Sequence, residues 1–185
     1  MAQDEEAVPQ STLDHFKAIP WCASHLSDPS FRIVSLSRTL IQDGNGHSLM
    51  AETWNTDKTI KELISMYRPR DDSTGQPAEL RRLYTFGTGL NAHPNLLHGG
   101  VSATILDSTM GRITVQDKPA IRSTYTVSLS ITYKKPITTP STILARSWIY
   151  KEEGRKTWVH GTLESGTGEI YATGEGLWVT VQPRL

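Results

Sequence analysis

The chain carries a single cysteine, Cys22, in 185 residues. No disulfide can form within it, and a metal site built on paired cysteines is excluded. Such usage suits a reducing compartment. Net charge is also lacking: 19 lysines and arginines balance 19 aspartates and glutamates, so no global field draws nucleic acid or an anionic membrane surface. No apolar run approaches the roughly 20 residues that span a bilayer. The first six residues, Met1-Ala2-Gln3-Asp4-Glu5-Glu6, are acidic where a secretory or mitochondrial leader is basic. The expectation is a soluble cytoplasmic protein with neither nucleic acid nor membrane as partner. Pro183-Arg184-Leu185 is a poor match to a Ser-Lys-Leu peroxisomal address because proline stands first, which leaves a peroxisomal or mitochondrial location open.

Motifs of several chemistries are missing too. There is no Gly-x-Ser-x-Gly elbow and no Gly-x-x-x-x-Gly-Lys phosphate loop, so serine hydrolases and nucleotide hydrolases lack their key residues. His15, His25, His47, His93 and His160 show no metal-ligand spacing, and no metal is assigned. Asp71-Asp72 sits in a polar stretch and reads as solvated surface.

What is present is a patterned chain of one-domain size. Residues 1–10 are polar and expected to be disordered. Ser11-Thr12-Leu13-Asp14 opens with a cap residue followed three places on by an acid, which suits a short helix that covers the domain. Asp43 to Gly46 reads as a turn, and residues 48–54 alternate as a strand does. Ile60, Leu63 and Ile64 stand at helical spacing and predict a second short helix over 57–66. The polar run Arg70 to Glu79 reads as a loop before a strand at about 80–89. Residues 98–115 are apolar or small nearly all round, so this helix must be buried nearly all round. Strands follow at 122–134, 142–151, 156–166 and 169–182, with links short enough to make consecutive strands antiparallel hairpins. One buried helix and a long antiparallel meander predict an α+β domain whose sheet wraps the helix. Trp148, Trp158 and Trp178 lie in these strands and read as sheet packing.

Two residues of the buried helix stand out. Gly99-Gly100 opens it, where unpaired N–H groups and the positive end of the helix dipole face any approaching oxygen. Asp107 sits in its middle, where a carboxylate is costly unless paired or used. It is a functional acid, or else caps a neighbouring loop or binds an arginine such as Arg112. The seven residues from Gly100 to Asp107 span two turns and about 10.5 Å, whereas an attacking group must lie about 3–3.5 Å from its carbonyl carbon. One helix cannot bring both to the same substrate. Two copies running antiparallel across a two-fold axis can, so the chemistry calls for a homo-oligomer.

His98-Gly99-Gly100 followed by Asp107, with Ser130-Ile131-Thr132-Tyr133-Lys134-Lys135-Pro136 at the end of the next strand, resembles the hotdog-fold acyl-CoA thioesterases of the phenylacetyl-CoA and acyl-CoA thioesterase 13 type. Ile19-Pro20-Trp21-Cys22 and Ala51-Glu52-Thr53-Trp54-Asn55-Thr56-Asp57 are similar to the fungal branch of that superfamily. The resemblance implies a hotdog fold, a long central helix wrapped by a curved antiparallel sheet, over residues 31–185 behind an N-terminal extension over 1–30 with a short helix. It implies hydrolysis of an acyl-CoA or acyl-carrier-protein thioester by a homodimer or dimer of dimers, with no cofactor beyond the coenzyme A of the substrate. Gly100 would supply the oxyanion-hole amide, and the partner subunit's Asp107 the nucleophile or general base. Thr126 stands where the family often has a serine that positions the attacking water; His98, read from its place before the helix, would orient the turn or donate a hydrogen bond. Asn91 would fix the thioester or lytic water. The family's asparagine falls six residues before the histidine, at Ala92, so Asn91 requires a one-residue bulge and Asn95 competes with it. Ser108 stands where relatives often carry an acid. Gly99, Lys134 and Lys135 are the candidates for holding coenzyme A; solvated lysines are the plain alternative. Rival functions are a dehydratase, cyclase or isomerase of secondary metabolism in the same cavity, and a non-catalytic acyl-CoA binder.

Overall fold

The computed structural model describes residues 8–34, 38–40, 46–118 and 123–181. The disorder expected over residues 1–10 and the turn expected at 43–46 fall mostly outside these. Two short helices, α1 (Gln10–Lys17) and α2 (Pro20–Leu26), precede a sheet containing β1 (Arg32–Val34), β2 (Ile60–Arg68) and β3 (Glu79–Phe86). A small ribbon, β4 (Asn91–His93) with β5 (Leu96–Leu97), leads into the long helix α3 (Gly99–Gln116). Then come β6 (Thr124–Tyr133), β7 (Ser141–Glu153), β8 (Lys156–Glu164) and β9 (Ile170–Thr180). The large sheet is antiparallel, in the order β1-β2-β3-β7-β8-β9-β6.

The sheet curves around α3. Val101, Ile105, Leu106, Met110 and Ile113 on the helix bury themselves against Leu63, Tyr84, Ala145, Val159 and Trp178. Gly161 and Gly174 let the helix approach: a Cβ at Gly161 would lie 2.7 Å from Met110 Sδ. On the other face of the sheet, Ile64, Met66, Leu83 and Leu144 are covered by Phe16 and Cys22 of α1 and α2. Thr12 donates to Glu62 at 2.7 Å, and the His15 ring meets the Thr85 hydroxyl at 2.8 Å.

That second layer explains the first departure from expectation. Residues 60–68 form strand β2, not a helix. Leu63 to Tyr67 are all buried, toward α3 on one face and toward the N-terminal helices on the other. A strand buried on both faces loses its alternation, and its apolar residues then fall at helical spacing by coincidence. Second, residues 49–53 make one π turn, not a strand, whose Met50 is the side chain that enters the core. Third, β6 and β7 are not a hairpin. β6 pairs with β9 at the sheet edge, and β7 pairs with β3 and β8. Their link is held elsewhere, with Leu97 N–H donating to the Ile137 carbonyl and Thr139 N–H to that of Asn95. A second helix, α2, was not expected; Pro20 at its first position favours a helix start.

Candidate active site

α3 begins at His98, whose backbone is extended while its ring turns back over the helix tip. Its Nδ1 accepts the N–H of Gly100 at 2.8 Å. Nδ1 therefore carries no proton, and the neutral ring is protonated on Nε2. In this conformation the Gly100 amide is occupied. The N–H of Gly99 donates to no acceptor among the described residues, so Gly99 is the open donor at the tip. A capping ring also accounts for Gly100 itself, since a Cβ there would come 2.9 Å from Nδ1.

Asp107 is half-buried two turns along α3, and its Oδ1 accepts the hydroxyl of Thr126 on β6 at 2.8 Å. Arg112 does not take it. Its Nη2 donates to Gln116 at 3.1 Å, and burial together with the charge of Arg82 lowers the Arg112 guanidinium to about 10. Ser108, on the next position round the helix, accepts from the fully buried Arg82 at 2.9 Å.

Asn91 lies beside the tip, because the His98 N–H bonds the carbonyl of its neighbour Leu90. The β4–β5 ladder shifts register between Asn91 and His93, an irregularity at Ala92. The Asn91 Oδ1 accepts from the Thr139 hydroxyl at 2.6 Å, leaving its amide N–H groups to point elsewhere. Asn95 has a φ of +60° and contributes its carbonyl to Thr139 instead.

A cleft of about 320 Å³ opens at the tip, lined by Gly99, Ser102, Tyr133, Lys134, Lys135 and Tyr171 among others. Both lysines line it, and Lys135 is ion-paired with Glu169. Tyr133 was not singled out from sequence. Its hydroxyl donates to the Gly99 carbonyl at 2.9 Å. The contact spans 34 positions, so no local pattern announces it. Among the described residues no three or more His, Cys, Asp or Glu are grouped to hold a metal, and no helix is long and apolar enough to cross a membrane.

A long helix with a mid-helix acid, cradled by one curved antiparallel sheet, defines a hotdog-fold protein. Residues 94–172, which include His98, Asp107, Thr126 and both lysines, match the model of the Thioesterase superfamily. Over 102 residues the chain is 35% identical to acyl-coenzyme A thioesterase THEM4 of Mus musculus, covering 55% of this chain and 43% of that protein. The chain thus spans less than half of that relative's length. Verlamelin biosynthesis protein B of Lecanicillium sp is 23% identical over 210 residues, covering 95% of this chain and 90% of that protein. Among solved structures, the BH2602 protein of Bacillus halodurans, crystallised with CoA, is 30% identical with a TM-score of 0.50, over 56% of this chain and 66% of that one. The yhdA protein of Lactococcus lactis shares the fold at 13% identity and a TM-score of 0.56, over 64% and 91%.

Proposed function

We propose that the protein is a homodimeric acyl-thioester hydrolase acting on acyl-CoA or an acyl-carrier-protein thioester. The observation that carries this reading is Asp107, anchored by Thr126 on an edge strand whose outer side has no partner among the described residues. β6 is ten residues long with Tyr125, Val127 and Tyr133 more than half exposed. Such an edge invites pairing with a second copy. Two copies joined there bring the α3 tip of one protomer toward the partner subunit's Asp107, which bridges the 10.5 Å or so that one helix leaves between its own tip and acid.

In this mechanism the thioester carbonyl oxygen enters the tip and is held by the Gly99 N–H. Gly100 N–H joins when the His98 ring turns aside. The partner subunit's Asp107 attacks the carbonyl carbon or takes a proton from the attacking water, with Thr126 holding the carboxylate in place. The C–S bond breaks and the thiolate leaves as the free thiol, taking the proton that Asp107 removed from water or, where Asp107 attacked directly, one from solvent. In that second case a water then cleaves the acyl-aspartate anhydride, releasing the acid and restoring the carboxylate. Asn91 orients the thioester or the water, and Lys134 and Lys135 meet the phosphates of coenzyme A at the cleft mouth. No cofactor beyond the substrate's coenzyme A is called for.

Support comes from the THEM4 relatives, from the CoA in the Bacillus halodurans structure, and from the site residues within the matched segment. The relative that also covers the N-terminal helices is a biosynthesis protein. It favours a second version of the same reading, in which the acyl group arrives on a carrier protein of a biosynthetic assembly.

The test is thiol release from a panel of acyl-CoAs and acyl-carrier proteins by wild type and Asp107→Ala. Wild type is expected to release thiol and Asp107→Ala to fold and dimerise but lose about a hundredfold or more of the rate. An Asp107→Ala variant of undiminished rate, or a fully active monomer, overturns the proposal. Binding without release transfers the case to a non-catalytic acyl-CoA binder.

A further inference from the structure

One strand, β6, touches α3 at both ends of the candidate site. Near its start Thr126 holds Asp107 at 2.8 Å, and at its end Tyr133 holds the Gly99 carbonyl at 2.9 Å. These two residues are seven apart, and in a regular strand an odd separation puts side chains on opposite faces. β6 is not regular. Its ladder with β9 shifts register between Thr126 and Ser128. Before the shift, Thr124 and Thr126 face the helix, Thr124 reaching Thr114 at 2.9 Å. After it, Leu129 and Ile131 pack against the core and Tyr133 reaches the tip. The bulge at Val127 thus changes the parity of the strand and brings both hydroxyls to the same face, a re-aiming typical of bulges beside active sites.

The Tyr133 bond has a specific target. The Gly99 carbonyl and the Gly100 N–H belong to one peptide plane. Tyr133 holds its oxygen, and His98 Nδ1 holds its N–H at 2.8 Å. A plane held at both ends resists rotation, and this fixes the direction of the Gly100 N–H beside the Gly99 N–H at the tip. The ring also lies against the tip, its Cε1 3.7 Å from where a Gly99 Cβ would stand.

Resting on the hydrolase reading above, the geometry points to Tyr133 as a positioning residue that fixes the 99–100 peptide and thereby aims the oxyanion donors of the α3 tip. It touches neither the acid nor, in this role, the reacting atoms. It differs from Thr126 in acting on the donor side of the reaction rather than on the carboxylate.

Tyr133→Phe keeps the ring and deletes the hydroxyl. Amide hydrogen exchange of Gly100, followed by NMR on the free full-length protein, is expected to quicken about three- to tenfold. The kcat for thiol release should fall by a similar factor with KM within about twofold, while the melting temperature stays near that of wild type. Tyr133→Ala, which also removes a wall of the cleft, should raise KM as well. Because Tyr133 and His98 restrain the same plane, Tyr133→Phe combined with His98→Ala should cost less than the product of the two single effects. Unchanged exchange in Tyr133→Phe overturns the inference, and so does faster exchange with unchanged kcat. If wild type releases no thiol from any acyl-CoA or acyl-carrier protein, the hydrolase reading falls on its own. Gly100 exchange then still decides whether Tyr133 fixes the tip.

Discussion

Thr126 gives Asp107 a hydrogen bond that water can replace only loosely, because water imposes no orientation on the carboxylate. Thr126→Val keeps the shape of the side chain and removes the donor. It is expected to lower kcat for thiol release about three- to tenfold, with Thr126→Ser close to wild type; steady-state kinetics on one good acyl-CoA checks both. The acid and its glycine tip were legible in the sequence because each breaks a local rule. A lone carboxylate stands in an apolar helix, and two glycines open it. What occupies the Gly100 amide was not legible. The capping role of His98 depends on its χ angles, and the Tyr133 hydroxyl reaches the tip from a strand 34 positions away.

Among the elements, α2 is seated more tightly than its length suggests. Trp21 packs on the β8–β9 turn, where a Cβ on Gly166 would lie 2.4 Å from the indole Nε1. Gly166→Ala must push α2 away or twist the turn, and should cost about 1–3 kcal/mol in urea unfolding. The N-terminal helices lie across the sheet from α3, so kcat should be unaffected. The burial of β2 between these helices and α3 also misled the periodicity of residues 57–66. The length of the apolar run in α3 and the β-formers and turns of β7 to β9 could still be read; the shorter β2, covered on both sides, could not.

Over the whole molecule, two features set conditions for function. The first is the open edge of β6. Ser130 lies near its middle, and in the proposed dimer, joined antiparallel along β6, Ser130→Glu would set like charges on facing strands near the two-fold axis. Size-exclusion chromatography is expected to show the dimer shifting toward monomer, with thiol release falling in step. The second is an ion network on the outer face. Burial by itself raises a carboxyl, but Arg146 and Arg81, bonded to Glu79 at 2.7 and 2.8 Å, hold it below its ordinary value of 4.5. Arg68 pairs with its other oxygen at 2.9 Å, so this one carboxylate fastens residues of β2, β3 and β7. Since the folded value lies below the unfolded one, its stabilisation is full above the ordinary carboxylate range and lost as pH falls through the folded value. The urea midpoint should therefore decline below about pH 4.5. Glu79→Gln should lower the midpoint at neutral pH and flatten that decline.

From sequence alone the central helix, the meander after it, and the tip and acid along the helix were determined, because periodicity, glycine placement and a misplaced charge are local signals. The rise of a helix, fixed by its backbone, also sets the two-turn gap between tip and acid on which the proposal of a second copy rests. Only the tertiary structure decided that β6 leaves its sequence neighbour β7 for the sheet edge, that residues 60–68 extend instead of coiling, and that one bulge turns Thr126 and Tyr133 to the same side. Those choices depend on which surfaces are buried together, and contacts between distant segments leave no period in the chain.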